Sequence, residues 1–400
     1  MRLIHTADWH WSEQQSEKCR ESARFILEQL ESLKPDLHVI AGDYWDRRQV
    51  LSSASAVHPA LAAMRAMANI SPVAIVLGNS MHDAPGSLEI FRGLDTRYPI
   101  YVAERPSTVL LCRDDSGNAA FRECPEEDER EGAFRNASAL VHLFPYPNKS
   151  YWLSGREADS IDEATLSIQA ALQSVFARFA ALHHGFRGPK VFVGHCLVLG
   201  AKISNGQLLP GQEIAIGKND LAMIGADYYA LGHIHMAQKI EERIWYAGST
   251  HHCNFGETET KSFNEVQISD GRLTVSVIEI PSRRMAFHEA RFDRTRNGIV
   301  DEHETEDWSD AELRVRVHLT EEETSLVSDD EIRRHYLGAH SYKIERLVIP
   351  EERVRAETIT RARTLREKVV EWAKLIEKQL SPSVLVLADE VEQIESQEQR

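Results

Sequence analysis

A chain of 400 residues has room for two or three domains at roughly 100–200 residues each. With 42% apolar and 27% charged residues it has the balance of a globular protein, and no run approaches the roughly 18 apolar residues of a membrane span. Lys and Arg number 46 against 62 Asp and Glu, a formal charge of −16; this argues against tight unaided binding to nucleic acid, whose affinity comes largely from cations neutralising phosphates.

Arg2–Thr6 reads as a short buried strand. Residues 17–33 follow with Ala23, Ile26, Leu27, Leu30 and Leu33 at helical spacing. Asp36–Gly42 is a second strand and 54–68 a helix rich in Ala and Met, whose regular part is expected to start at Pro59, because proline fits only a first turn. Pro72–Gly78 is a third strand. Strand–helix alternation of this kind predicts a parallel or mixed sheet covered by helices. The acidic stretch 114–132 reads as a surface loop insertion. A helix is expected over 162–182, then strands at Val191–Gly194, Asp227–Gly232 and Arg243–Gly248. Beyond residue 260 the pattern changes. Ser262–Ile268 and Leu273–Ile280 alternate about Asp270-Gly271, a hairpin signal. A strand over 312–319, a helix near 329–337 and a strand over 342–349 complete a smaller α+β domain. A charged amphipathic helix is predicted over 351–380, with Leu365, Val369, Trp372, Leu375 and Ile376 on one face, stopped by Ser381-Pro382. The last eighteen residues are acidic and read as partly flexible. The domain division expected is 1–260, 261–350 and 351–400.

Five short signatures occur in order: Asp8-Trp9-His10, Gly42-Asp43, Gly78-Asn79 with His82-Asp83, Gly194-His195, and Gly232-His233-Ile234-His235. Each alone is weak. Four of them directly follow an apolar strand-like run, and ligands gather outside the carboxyl ends of strands in α/β sheets, so the five should converge on one rim. Carboxylate, imidazole and amide oxygen suit divalent Mn, Fe or Zn. Two ions roughly 3.5–4 Å apart bind a phosphate, activate water and stabilise a leaving oxygen, and one central Asp can bridge them. Glycine beside the donors lets the chain turn tightly beneath them.

These residues resemble the calcineurin-like metallophosphoesterases, and within them the SbcD-type DNA repair nucleases. His5-Thr6-Ala7-Asp8-Trp9-His10 resembles the opening motif, and Tyr246-Ala-Gly-Ser249 with Asn254-Phe-Gly-Glu257 resembles the segment closing the phosphoesterase domain. The resemblance implies an α/β sandwich of mixed sheets flanked by helices, a smaller α+β capping domain and a C-terminal helix. It implies that Asp8, His10 and His235 hold one metal, that Asn79, His195 and His233 hold the other, and that Asp43 bridges them. His82 would protonate the leaving group or steady the phosphate, with Asp83 beside it. Asp46 would orient His82 or a water, or else is a solvated loop carboxylate. One departure stands out: the usual Gly-Asn-His-Asp run is interrupted here by Ser80 and Met81. Either Asn79 binds metal and the extra residues bulge, or His82 keeps its place and Asn79 is displaced.

The function implied is a two-metal DNA exonuclease and endonuclease in double-strand break repair, with manganese as the metal and an SbcC-type coiled-coil ATPase as partner. The alternatives are a phosphoesterase for nucleotides or phosphoproteins and a non-cleaving DNA-binding scaffold. The 351–380 helix with Val384–Leu387 resembles the family's docking segment for the ATPase. Val57, Leu61, Met64 and Met67 form a candidate face for the homodimer that the family implies. Arg283, Arg284, Arg291, Arg294 and Arg296 are a basic run that could meet phosphates or be solvated. His183-His184 reads as a solvated loop pair, His58 as a surface or dimer-contact histidine, and His251-His252 as a surface loop that could instead touch substrate phosphate. Cys19, Cys112, Cys124, Cys196 and Cys253, odd in number and without a CxxC pair, read as free thiols. Met1–His5 runs straight into a motif, leaving no room for a signal peptide, so a cytoplasmic protein is expected.

Overall fold

The computed structural model describes residues 1–114, 116–125, 127–148, 161–207, 209, 213–301, 308–350, 359 and 361–398. Two sheets dominate it. The first has the spatial order Arg272–Glu279, Ser262–Ser269, Arg2–Thr6, Leu37–Ile40, Val73–Val76, Ile100–Ala103, with its last four strands mutually parallel. The second has the order Gln238–Glu241, Ile244–Tyr246, Tyr228–Gly232, Lys190–His195, Ala137–Phe144, Ser107–Arg113, Ala119–Glu123. Leu3, Val39, Ala74 and Val76 of the first sheet pack against Val109, Val141, Val193 and Ala230 of the second. The other face of the first sheet (Ile4, Ile40, Val73, Ile75) is covered by helices Ser16–Leu33 and Ala54–Ile70. The other face of the second (Phe144, Phe192, Leu231) is covered by Ile168, Leu172, Phe176 and Phe179 of helix Ile161–Ala181. The central strands of both sheets are buried on both faces, and this explains why they read as unbroken apolar runs.

Several expectations change. The hairpin beyond residue 260 extends the first sheet, because Ser262–Ser269 pairs antiparallel with Arg2–Thr6. The stretch 114–132 is not all loop: Ala119–Glu123 pairs with Ser107–Arg113 and closes the edge of the second sheet. Pro59 lies inside its helix rather than at the start. Proline leaves the Ser55 carbonyl without its helical donor, and the Ser16 hydroxyl donates to that carbonyl at 3.3 Å instead. The Val57–Met67 stripe is not a free face: Val57, Met64 and Met67 are buried in this chain's own core and Leu61 packs against it.

The chain divides into two compact units, Met1–Phe287 with Asp307–Arg314 and Gly338–Lys343, and His288–Glu306 with Val315–Leu337 and Ile344–Arg400. Most of a four-stranded sheet, ordered Gly298–Asp301, Met285–Asp293, Glu312–Thr320, Ser341–Ile349, falls in the second. The second unit also holds helix Asp329–His335, which opens on a capping box of Ser328 and Glu331. Of the helix predicted over 351–380, residues 351–358 and 360 lie outside the described residues. The described helix is Leu365–Leu375, capped by Thr364 and Glu367, and it ends just before Glu377 turns left-handed at φ 53°. Pro382 does not only stop a helix. It begins another, Pro382–Glu398, over residues read as partly flexible; proline is favoured at a first helical position.

Candidate metal centre

All five signatures lie at the carboxyl ends of parallel strands, three from the first sheet and two from the second. Asp8 and His10 follow Arg2–Thr6, Asp43 follows Leu37–Ile40, Asn79 follows Val73–Val76, His195 ends its strand, and His233 and His235 follow Tyr228–Gly232. Donor atoms of Asp8, His10 and Asp43 lie within 4.8 Å of one another, as do those of Asp43, His195 and His233. Asp43 is thus common to both groups.

The backbone beneath these residues is strained. Nine non-glycine residues have positive φ among the described residues, and four of them are Asp8 (50°), His10 (46°), Asp43 (48°) and His233 (98°). Such conformations cost roughly 1–3 kcal/mol each and persist where the surroundings over-determine them. The glycines explain how. A Cβ on Gly78 would lie 2.1 Å from the Asp43 nitrogen, and one on Gly232 would lie 2.0 Å from the Ala41 carbonyl oxygen. The loops close on one another where no side chain fits.

Hydrogen bonds fix which ring atoms face the centre. His195 Nδ1 donates to the Ala41 carbonyl at 2.7 Å, which leaves Nε2, 3.2 Å from Asp43 Oδ2, without a hydrogen bond of its own among the described residues. His235 Nδ1 donates to Glu257 Oε1 at 2.7 Å, and its Nε2 faces His10 Nε2 at 3.0 Å. His233 Nε2 donates to Glu213 Oε2 at 2.8 Å, leaving Nδ1. The His233 N–H bonds both oxygens of Asp8, at 3.0 and 3.1 Å. Two imidazole nitrogens about 3 Å apart suit neighbouring donors on one ion, given metal–nitrogen distances of about 2.0–2.1 Å. A partner on each ring's far nitrogen is the usual support for metal-binding histidine.

The electrostatics also call for cations. Burial works against the Asp43 carboxylate, yet the imidazoles around it, His195 first, hold it well below the usual range. In turn Asp43 outweighs burial and pushes His195 up to about 9. Burial raises Asp8. The Glu213 side chain is 5% exposed and its Oε1 has no hydrogen-bond partner among the described residues, a costly state for a carboxylate unless positive charge is near. The donors and their geometry therefore fit a pair of divalent ions. Asp8, His10 and His235 could hold one, His195, His233 and Asn79 the other, with Asp43 between them.

Around Ser80-Met81 the chain makes one turn, with the His82 and Asp83 N–H groups both bonding the Asn79 carbonyl at 2.8 Å. The turn absorbs the two extra residues. Asn79 stays at its strand end, where its N–H donates to Asp43 Oδ1 at 2.6 Å and its side-chain oxygen accepts from the Met81 N–H at 3.0 Å. His82 returns to the rim, with Nε2 4.0 Å from Asp43 Oδ2 and its ring edge-on to His10. His82 Nδ1 donates to the backbone carbonyl of Asp46, so it is that carbonyl, not the carboxylate, that orients His82. The Asp46 carboxylate lies 3.9 Å from His10 Nδ1. Asp83 is fully buried and accepts the N–H groups of Tyr44, Trp45 and Gly78. Burial and the charge of Asp43 raise it to about 7. Its place is to tie the Asp43 loop to the Asn79 loop.

Three of the other histidines, His183, His251 and His252, depart from the surface reading. His251 and His252 are buried; burial lowers both, and His252 Nε2 donates to the Glu259 carbonyl. His183 is half-buried with Nε2 2.8 Å from His142 Nε2, while His184 and His58 are exposed. The five cysteines are free thiols. The arginine run is largely engaged: Arg283 bonds Glu21 at 2.9 and 2.7 Å, Arg284 stacks on Trp308, and Arg294 pairs with Glu322 and Glu323.

Some site residues were not anticipated. Tyr146 stands within ring contact of His195 and His233; burial, then the charge of Glu213, keeps its hydroxyl protonated. It follows the strand Ala137–Phe144, so the strand-end rule would have found it. Gln207, Glu213 and Lys261 come from loops without periodicity, and nothing in the sequence marks them; Glu257 ends the Asn254-Phe-Gly-Glu257 motif, which marks the residue but not its bond to His235.

The model of the family described as calcineurin-like phosphoesterase matches residues 1–237. The chain is 26% identical over 302 residues to the SbcD component of the nuclease SbcCD of Escherichia coli strain K12, covering 70% of this chain and 68% of that protein. The same component from Escherichia coli O157:H7 matches with the same figures. A crystal structure of a dimetal phosphatase from Danio rerio shares 13% identity at a TM-score of 0.43, covering 70% of this chain and 97% of that chain. No helix among the described residues is long and apolar enough to cross a membrane.

Proposed function

Because the chain belongs to the calcineurin-like phosphoesterase family, and is thereby a metal-dependent hydrolase of a family that uses two divalent ions, we propose that it is a DNA nuclease, cutting phosphodiester bonds in DNA-end processing and break repair. The observation that carries the reading is the convergence of Asp8, His10, Asp43, His195, His233 and His235 on one rim with His82 beside Asp43. The 26% identity to a component of a nuclease supports DNA as the substrate. Two bound ions, manganese in this proposal, supply Lewis-acid charge at the phosphate and activate water near neutral pH. The chain's own residues do the rest. Asp43 lies between the two ligand groups. His82, held by the Asp46 carbonyl, delivers a proton to the leaving sugar oxygen, a task suited to imidazole. Asp83 locks the two loops that carry Asp43 and His82.

The partner proposed is an SbcC-type coiled-coil ATPase. Trp372, Leu375, Leu387 and Ile394 are exposed on helices Leu365–Leu375 and Pro382–Glu398, and Ile376 is exposed just past the first; the helices are joined by the Arg366–Asp389 ion pair. An exposed apolar helical face is a common docking mode, and a basic partner would offset the charge of −16. The smaller domain expected over 261–350 is proposed to govern DNA access. A homodimer would need a face other than the Val57–Met67 stripe, which this chain's core occupies. The scaffold alternative rested on the altered Asn79–His82 spacing, and the turn that restores His82 to the rim removes that support.

The test is cleavage of end-labelled linear duplex and single-stranded DNA with Mn²⁺, Mg²⁺ or EDTA, with and without the ATPase partner. Manganese-dependent cutting abolished by Asp43→Ala supports the nuclease. Hydrolysis of a small phosphodiester without DNA cutting would move the substrate to nucleotides or phosphoproteins.

A further inference from the structure

One buried cluster beside the ligands has chemistry that the hydrolytic reading leaves unused. Lys261 is 1% exposed, and a buried ammonium is costly unless paired. Its Nζ lies 2.7 Å from Glu257 Oε2, 2.9 Å from Glu259 Oε1 and 2.9 Å from Ser249 Oγ. Glu257 is fully buried too. Its Oε1 accepts from His235 Nδ1 at 2.7 Å and from the Asn254 amide at 2.8 Å, and its Oε2 accepts the Cys253 N–H at 3.0 Å. The carboxylate is thus held by four donors and cannot turn toward an ion. A carboxylate accepts only, so the proton of His235 sits on Nδ1 and the lone pair is on Nε2, the atom facing His10 Nε2.

We propose that Glu257 and Lys261 are a positioning pair for the ion held by His10 and His235: Glu257 sets the orientation and tautomer of His235, and Lys261 pins the carboxylate and balances its charge. This rests on the two-metal reading of the site. Gln207 supports it from the other side, since its amide nitrogen donates to the His233 carbonyl at 2.6 Å and its oxygen accepts the His235 N–H at 3.2 Å. The His233–His235 segment is thereby gripped through its backbone while Glu257 grips the His235 ring. The competing role is structural only, with the ion pair fastening loop 249–261 to the core. Replacing a buried ion pair by neutral groups of similar size is often neutral for stability, and this separates the two roles.

The experiment is a titration of metal-free full-length protein with Mn²⁺, followed by electron paramagnetic resonance and calorimetry, for wild type, Glu257→Gln and the double variant Glu257→Gln/Lys261→Met. Melting in EDTA controls for folding of the double variant. Loss of the supporting carboxylate is expected to weaken one of two Mn²⁺ sites about 10–100-fold in both variants and to leave the other unchanged. Two ions bound with wild-type affinity in both variants would overturn the positioning role while leaving the metal centre intact. Wild type that does not bind two Mn²⁺ would overturn the positioning role and the metal reading together.

Discussion

Gly42 and Gly86 offer a matched pair of substitutions. Their φ angles are nearly equal, +84° and +83°. Alanine at either position meets the left-handed penalty, about 1–2 kcal/mol. At Gly86 that is all, because no atom of the described residues lies within 4 Å of the added Cβ. At Gly42 the Cβ would fall 2.3 Å from His195 Nδ1, 2.6 Å from Cγ and 2.8 Å from Cβ. His195 is fully buried and held by the Ala41 carbonyl, so ring or loop must shift, at about 1–3 kcal/mol more. With roughly 2–4 °C of melting temperature per kcal/mol in a domain of this size, Gly86→Ala should lose about 2–8 °C and Gly42→Ala about 2–12 °C beyond that. Thermal denaturation in EDTA measures both. Mn²⁺-dependent hydrolysis of a nitrophenyl phosphodiester should survive Gly86→Ala and collapse with Gly42→Ala, since the displaced ring is a proposed ligand. Equal melting losses, or full activity in Gly42→Ala, would refute the argument that glycine is required there by the approach of His195.

His82→Ala should keep both ions and lose about 10²–10⁴-fold in rate on DNA; the loss should be smaller on a nitrophenyl ester, whose leaving group needs little protonation, and steady-state kinetics on both substrates checks this. Tyr336→Phe removes the hydroxyl that donates to buried Asp301 Oδ2 at 2.5 Å, so the second unit should lose about 1–3 kcal/mol, read as weaker hydrogen-exchange protection over residues 288–337. Trp372→Ala, at a side chain 52% exposed, should change stability by no more than about 0.5 kcal/mol yet abolish co-purification with the ATPase partner. Retention of the partner would send the docking surface elsewhere.

The rim of candidate ligands was legible because two rules coincide at it. Apolar runs such as Val73–Val76 announce buried strands, and polar residues just past their ends mark the side on which a site forms. Asp8, Asp43, Asn79, His195 and His233 all obey this. The roles around them were less legible, since they depend on contacts made across the fold. Asp83 looks like a partner of His82, but three backbone N–H groups claim it. Asp46 acts on His82 through its carbonyl, which any residue possesses. Gln207, Glu257 and Lys261 reach the ligands only when loops from different sheets meet. Tyr146 was findable, and the same strand-end rule points to it. The same limit applies to the fold. The hairpin beyond residue 260 shows its alternation in sequence, but its pairing with Arg2–Thr6 is a long-range choice that periodicity does not encode. The helix at Ala54 begins before Pro59 because Ser16, from another helix, serves the carbonyl that proline leaves free.

The most direct test of the metal centre is an anomalous difference map from crystals of this protein soaked in Mn²⁺. Two peaks about 3.5–4 Å apart are predicted on either side of the Asp43 carboxylate, one touching His10 and His235 and the other His195 and His233. A single peak, or none within reach of Asp43, would contradict a two-metal site.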